Sequence, residues 1–404
     1  MSAVHWSHRA GLLGSLACSL LFASVTMAQP VLAPRGAART PARPDAETDT
    51  PDVRLVRAAM EGSLEGVTRA LSEKADVNAL ADSGGSALAA AAVHGRLSIV
   101  EALMAAGADV SLADRTGATP LIGAAAQGHT DVVRALLSRG ADPRAADKNG
   151  MTALLAAASA GRSDMIRFLA ANGAEVNVTD KEGTTALMAA AFAGHATTVG
   201  ALVEAGATVN ATDQGGRTAL LAAALGGDTA VGRTLLDRGA NVNVEDAAGS
   251  SALTYAASNG HLAFAQMLRA AGVNKGMDPA LALAARGCYS ETVKLLLDGK
   301  ADVNATLGGA PALALAAASG CEGTVRDLLA RGATVDATNP EGTTALMEAS
   351  IRGLTSMVEL LLSQGADLEI RNKAGQNAWL MAAMSGHQDV VEVLRKVREK
   401  TAPR

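Results

Sequence analysis

Residues 147–180 read DKNGMTALLAAASAGRSDMIRFLAANGAEVNVTD, and the physical reading of this stretch decides the fold. Asp147-Lys148-Asn149-Gly150 is a tight-turn sequence, because a glycine accepts positive φ without a Cβ penalty and an aspartate side chain bonds to nearby backbone donors. Thr152 has the chemistry of a helix N-cap. It opens a short helix through Leu154, Leu155 and the alanines 156–158, whose small side chains let backbones approach closely. Gly161 ends that helix. A second opens near Ser163 and runs from Asp164 to Ala171, with Met165, Ile166, Phe168 and Leu169 as its apolar stripe. Gly173 stops it, and Ala174-Glu175-Val176-Asn177 leads as a brief extended segment into the next turn. Helices of roughly nine residues do not persist alone in water. Each must be held by packing against a neighbour.

Repetition supplies the neighbours. A Gly-Ala pair or its equivalent recurs at Gly107, Gly140, Gly173, Gly206, Gly239, Gly272, Gly332 and Gly365, mostly at intervals of 33 residues, with Lys74-Ala75 and Lys300-Ala301 in the same slot. Thirteen residues after the alanine of this pair comes a leucine in an alanine-rich run, at Leu88, Leu121, Leu154, Leu187, Leu220, Leu253 and Leu346; Trp379 replaces it in the last copy. One copy is damaged. The step from Val273 to Leu281 is 8 residues where 13 is the rule, and the turn before Leu313 is one residue short. The row of hairpins is expected to break near 272–310.

The unit resembles the ankyrin repeat, matched by Asp114-Arg115-Thr116-Gly117-Ala118-Thr119-Pro120-Leu121 and, further on, by the run from Gly128-His129 to Gly140-Ala141-Asp142. The resemblance spans residues 52–398, about eleven repeats of about 33 residues. It implies an all-α solenoid, a curved stack of helix pairs with short β-turn or hairpin tips, whose tips and first helices line a concave face that binds protein. Alanine stands for the usual proline at positions such as Ala153, Ala186 and Ala219, and apolar residues for the usual histidine at Ile122, Leu155 and Met188. These departures suggest a divergent bacterial-style subgroup.

The chain's two ends read differently. Gly11 to Val25 is almost entirely apolar or small, and Thr26-Met27-Ala28 offers small residues for a signal peptidase, so 1–28 reads as an export signal cleaved after Ala28. The apolar run is short of the roughly 20 residues that span a bilayer, so no membrane insertion is expected after cleavage. Residues 29–51, with Pro30, Pro34, Pro41, Pro44 and Pro51, read as a disordered Pro/Ala-rich linker, and 399–404 as a tail. A periplasmic or secreted monomer is expected. The 35 Lys and Arg against 40 Asp and Glu are mixed along the chain, which argues against nucleic acid as a partner.

No catalytic constellation stands out of the repeat, and no phosphate loop, metal or cofactor is expected. His129, His195, His261 and His387 share one slot at the start of the second helix, spaced too far apart to share a zinc ion, and are assigned to backbone bonding. His94 alone falls on the expected groove. Cys288 takes the slot normally held by the interhelix glycine and Cys321 the histidine slot of the next copy. Equivalent slots are too far apart for a disulfide, but the one-residue offset and the deleted turn shorten the gap, so the two are either bridged or free thiols. The candidate recognition surface combines basic tips at Arg115, Lys148 and Lys181, reinforced by Arg217, with Phe192, Leu225 and His94 beside them. That mixture suits a protein partner with an acidic patch. Two functions follow: a protein-binding scaffold in the bacterial envelope, or a secreted effector-like protein that binds a host or neighbouring-cell protein.

Overall fold

The computed structural model describes residues 50–81 and 84–401. The processing segment 1–28, the linker as far as residue 49, the turn residues Asp82 and Ser83, and residues 402–404 lie outside the described residues.

The chain divides into two compact units, one ending at Thr208 and the other beginning at Val209. The first holds α1 (Pro51–Glu61), α2 (Leu64–Ser72), α3 (Ala87–Val93), α4 (Leu97–Ala105), α5 (Pro120–Gln127), α6 (Thr130–Ser138), α7 (Ala153–Ser159), α8 (Ser163–Ala171), α9 (Ala186–Phe192) and α10 (Ala196–Glu204). The second holds α11 (Ala219–Gly226), α12 (Thr229–Asp237), α13 (Ala252–Ser258), α14 (Leu262–Ala270), α15 (Met277–Arg286), α16 (Ser290–Asp298), β1 (Thr306–Leu307), β2 (Ala310–Pro311), α17 (Ala312–Ala318), α18 (Glu322–Ala330), α19 (Ala345–Ile351), α20 (Thr355–Ser363), α21 (Ala378–Met384) and α22 (Gln388–Thr401). Within each unit odd-numbered helices stack on odd-numbered ones, and each packs on its own even-numbered partner. Among the described residues this makes eleven helix pairs.

Local chemistry explains the boundaries. Thr152 Oγ1 accepts from Leu155 N at 3.3 Å, Thr185 Oγ1 from Met188 N at 3.2 Å, and Ser251 Oγ from Thr254 N at 3.3 Å, each supplying a partner to a donor the helix leaves unpaired. The same device sets the start of α1, where Thr50 caps and Pro51 sits in the first turn. The linker boundary drawn at 51 therefore falls inside a helix, at a position where proline's missing N–H is not needed. At the far end α22 runs past 398 to Thr401, with Arg395 paired to Glu392 and Glu399 along its surface.

The recurring leucines are the core. Leu88, Leu121, Leu154 and Leu187 in the first unit, and Leu220, Leu253, Leu281, Leu313 and Leu346 in the second, are at most 3% exposed. Each such burial is worth roughly 2 kcal/mol. Trp379, which replaces the leucine in α21, is 38% exposed. Gly232, inside α12, leaves the space that fully buried Phe264 of α14 fills.

Two sets of backbone bonds tie neighbouring pairs. In the second unit an Asn or Asp side chain at the base of each pair accepts from the backbone of the next copy: Asn210 from Asn241 N, Asn243 from Asn274 N, Asp278 from Asp302 N, Asn304 from Thr334 N and Asp336 from Asp367 N, at 2.8–3.0 Å. At the tips the backbones bond directly. Lys148 N donates to Thr116 O and Lys181 N to Asn149 O in the first unit, and Ala247 N to Gly215 O and Lys373 N to Glu341 O in the second.

Among the described residues no tip bond occurs between Ala247 and Glu341. The eighth pair has no tip at all. Only Asn274 to Gly276 separate Val273 from α15, which starts four residues before Leu281 instead of one and runs for 10 residues. In the ninth pair the turn between β1 and β2 faces Pro340, which has no N–H to donate.

Candidate interaction surface

The three basic tips of the first unit share one construction. Asp114 Oδ1 accepts from Thr116 N and Ala118 N at 2.8 and 3.0 Å, Asp147 Oδ1 from Asn149 N and Met151 N at 2.7 and 2.9 Å, and Asp180 Oδ1 from Glu182 N and Thr184 N at 3.0 and 2.7 Å. Each aspartate thus turns one oxygen inward to its own loop, and the next residue projects outward. Those residues are Arg115, Lys148 and Lys181, all exposed. The tip-to-tip bonds set them on adjoining rungs, and Lys148 Nζ donates to Arg115 O at 2.8 Å. Glu182 dilutes the charge at the third tip. Burial pushes the Asp180 carboxyl up, against the hydrogen bonds from Thr184 that hold it down.

Arg217 does not extend this row. It lies four residues after Asp213, in the slot that Met151 and Thr184 fill in other turns, and it bonds the buried Asp213 through Nε at 2.7 Å and Nη2 at 2.6 Å. In the next turn Tyr255 Oη donates to Asp246 Oδ2 at 2.5 Å. Burial first, and the neighbouring Asp246 second, push the Tyr255 hydroxyl well above the usual phenol range, so it stays a neutral donor. Each of these side-chain pairs braces its own turn, and the bond of Ala247 N to Gly215 O at 2.8 Å joins the two tips of the second unit. Sequence reading missed Tyr255, Asp213 and Asp246. The slot of Arg217, counted from Asp213, was the available signal.

The groove candidates lie at the other end of their helices. His94 caps the C-terminus of α3 and is exposed, Phe192 is the last residue of α9, and Leu225 is next to last in α11; the latter two are half-buried. Phe192 closes a helix of seven residues and so stands about 10 Å along the axis from the turn that precedes it. Phe192 is therefore not beside the basic tip of its own repeat.

The shared histidine slot reaches backward to the preceding copy. The Nε2 atoms of His129 and His195 lie 3.0 and 3.2 Å from Val93 O and Ser159 O, and those of His261 and His387 each lie 3.1 Å from Leu225 O and Ile351 O. Each ring lies over the preceding loop's glycine, so closely that a Cβ on Gly95 would stand 2.6 Å from His129 Nδ1. A side chain in the glycine slot would point at the side chain in the histidine slot of the next copy. Cysteine in both therefore places Cys288 and Cys321 with Cα atoms 5.2 Å apart and their sulfurs bonded. The one-residue offset closes the gap, since the glycine slot of one copy and the histidine slot of the next are neighbours, whereas the deleted turn before α15 precedes both cysteines and plays no part.

Among the described residues no three His, Cys, Asp or Glu side chains converge where they could hold a metal ion, and no helix is long and apolar enough to cross a membrane. The family model for ankyrin repeats in three copies matches residues 55–147, 124–213, 205–279 and 313–402, and the model for a single ankyrin repeat matches 276–306. No curated protein matches the chain.

Proposed function

This chain belongs to the ankyrin-repeat family, and from that premise we propose that it is a protein-binding scaffold of the bacterial envelope whose basic tips receive an acidic patch of a partner protein. Ankyrin repeats are non-catalytic scaffolds that mediate protein–protein interactions. The observation that carries the finer reading is the set of adjoining tips in the first unit, where backbone bonds hold Arg115, Lys148 and Lys181 in the same position on successive rungs. Cations held in register need less ordering on binding than cations on loose loops, and they accelerate encounter with an acidic surface. Export rests on residues 1–28, and a single exported chain acting as a monomer is the working unit.

The test is affinity capture with the chain starting at Gln29, then repetition with Arg115→Glu, Lys148→Glu and Lys181→Glu combined. Surface substitutions usually shift stability by less than about 0.5 kcal/mol each, so helicity and melting should persist. Affinity should fall by roughly ten- to a hundredfold and lose its salt dependence. Unchanged affinity would make the row a solvated edge and move the search to Phe192, Leu225, Ile351 and Met384. Fractionation separates the two cellular readings. Retention in the periplasm supports the scaffold, and appearance in the medium supports the secreted effector-like protein.

A further inference from the structure

We propose that the Cys288–Cys321 bond is a thiol-exchange site, attacked at Cys288 by a small thiolate and opening the joint between the eighth and ninth helix pairs when reduced. The two sulfurs stand in unlike surroundings. Cys288 is exposed, on the loop between α15 and α16, whereas Cys321 is only 6% exposed. An incoming thiolate therefore meets Cys288 Sγ. The new S–S bond forms there, the Cys288–Cys321 bond breaks, and Cys321 Sγ leaves with the electron pair as a thiolate. Cys321 is the N-cap residue of α18, a nine-residue helix whose first turn has no side-chain cap, so backbone N–H groups and the helix dipole favour the leaving anion. Glu322, in the same first turn, opposes it in part. A second thiolate then attacks the mixed disulfide at the sulfur of the bound small thiol, releasing Cys288. In sum two thiols become one small disulfide, and their protons end on Cys288 and Cys321.

The backbone supplies the consequence of reduction. Ten of the eleven interhelix loops place a glycine at positive φ in this slot, and Cys288 occupies it at φ +60°. For a residue with a Cβ this left-handed conformation is disfavoured by about tenfold or more. With the bond intact the conformation is held from the next copy. Without it the loop relaxes, at a joint with no tip-to-tip bond and with a cysteine where four other pairs have the histidine-to-carbonyl contact. What remains there is helix stacking, the Asp278 bond to Asp302 N, a bond between the Ser290 and Thr324 hydroxyls, and the surface ion pairs of Arg331 with Asp298 at 2.7 Å and Lys294 with Asp327 at 3.8 Å, which solvent screening keeps weak.

The experiment uses the exported chain, oxidised, with glutathione as the probe. Peptide mass spectrometry after acid quenching should locate the mixed disulfide on Cys288, in about tenfold excess over Cys321. Hydrogen exchange of segments within 277–330 should speed up by about tenfold on full reduction, with the first unit unchanged. Cys288→Ala, which keeps the left-handed Cβ and lacks the bond, should exchange fast in both conditions. Cys288→Gly, which restores the residue of the other ten loops, should be slow in both. The proposal is overturned by adducts equal at the two sulfurs or favouring Cys321, by a bond that resists glutathione until the chain unfolds globally, by exchange that ignores reduction, or by cysteines that are unpaired in the oxidised chain. Should Cys288→Ala fail to fold, wild-type reduction and Cys288→Gly still decide it.

Discussion

Gly232→Ala should destabilise the second unit, although helix propensity alone argues the opposite. Gly232 lies inside α12, where alanine ordinarily favours a helix by about 1 kcal/mol. A Cβ built there stands 2.5 Å from Met267 Cε, and 2.8 and 2.9 Å from Phe264 Cε2 and Cζ. Carbon atoms in good contact sit roughly 3.5–4.0 Å apart, so the neighbours must withdraw by about 1 Å. Met267, unbranched and 9% exposed, has somewhere to go; Phe264, fully buried, does not. Forcing a methyl into a packed core costs about 1–3 kcal/mol, which outweighs the propensity gain and leaves a net loss of about 1 kcal/mol. For a cooperative unit of this size the melting temperature should fall by roughly 2–4 °C. The assay is thermal and urea unfolding followed by far-ultraviolet circular dichroism, on Gly232→Ala, Phe264→Leu and the double variant. The penalty should shrink in the Phe264→Leu background, where the ring no longer blocks the site. A Gly232→Ala chain stabilised by about 1 kcal/mol would refute the packing argument.

Burial pushes the Glu348 carboxyl above its ordinary value of 4.5, against the opposing charge of Arg352. An acid whose folded pKa is raised weakens the fold once pH rises past its unfolded value, so Glu348→Gln should melt higher than wild type at pH 7, and the difference should close below the ordinary 4.5. The backbone of 272–310 should open earliest within the second unit, because it lacks tip bonds on both sides; native-state hydrogen exchange giving uniform protection across α13 to α17 would count against this.

Turns, helix starts and the leucine core were legible because each depends on residues close in sequence: Asp147 with Gly150, Thr152 with Leu155, Gly161 between two helices. Contacts between copies were harder to read. The side-chain bond of Asn243 to Asn274 N and the reach of His261 to Leu225 O join residues about 30 or more apart, and only their recurrence hints at them. The glycine and histidine slots face each other because the loop glycine lacks a Cβ, a directional fact that spacing does not carry. Arg217 was read as reinforcing the tips because its charge was taken without its slot, four residues from Asp213 instead of one. Phe192 was grouped with the tips although a full helix lies between them. Pro51 was read as linker by composition, while its position after Thr50 marks a helix start.

The second unit is sewn along one seam and open along another. Side-chain bonds at the hairpin bases join every successive pair from Asn210 to Asp367, while the tips stand unstitched from Ala247 to Glu341. A strip fastened along one line bends readily about it. Mechanical load on this unit should therefore splay its tips while the base holds its spacing, which gives the array a soft edge and a stiff spine.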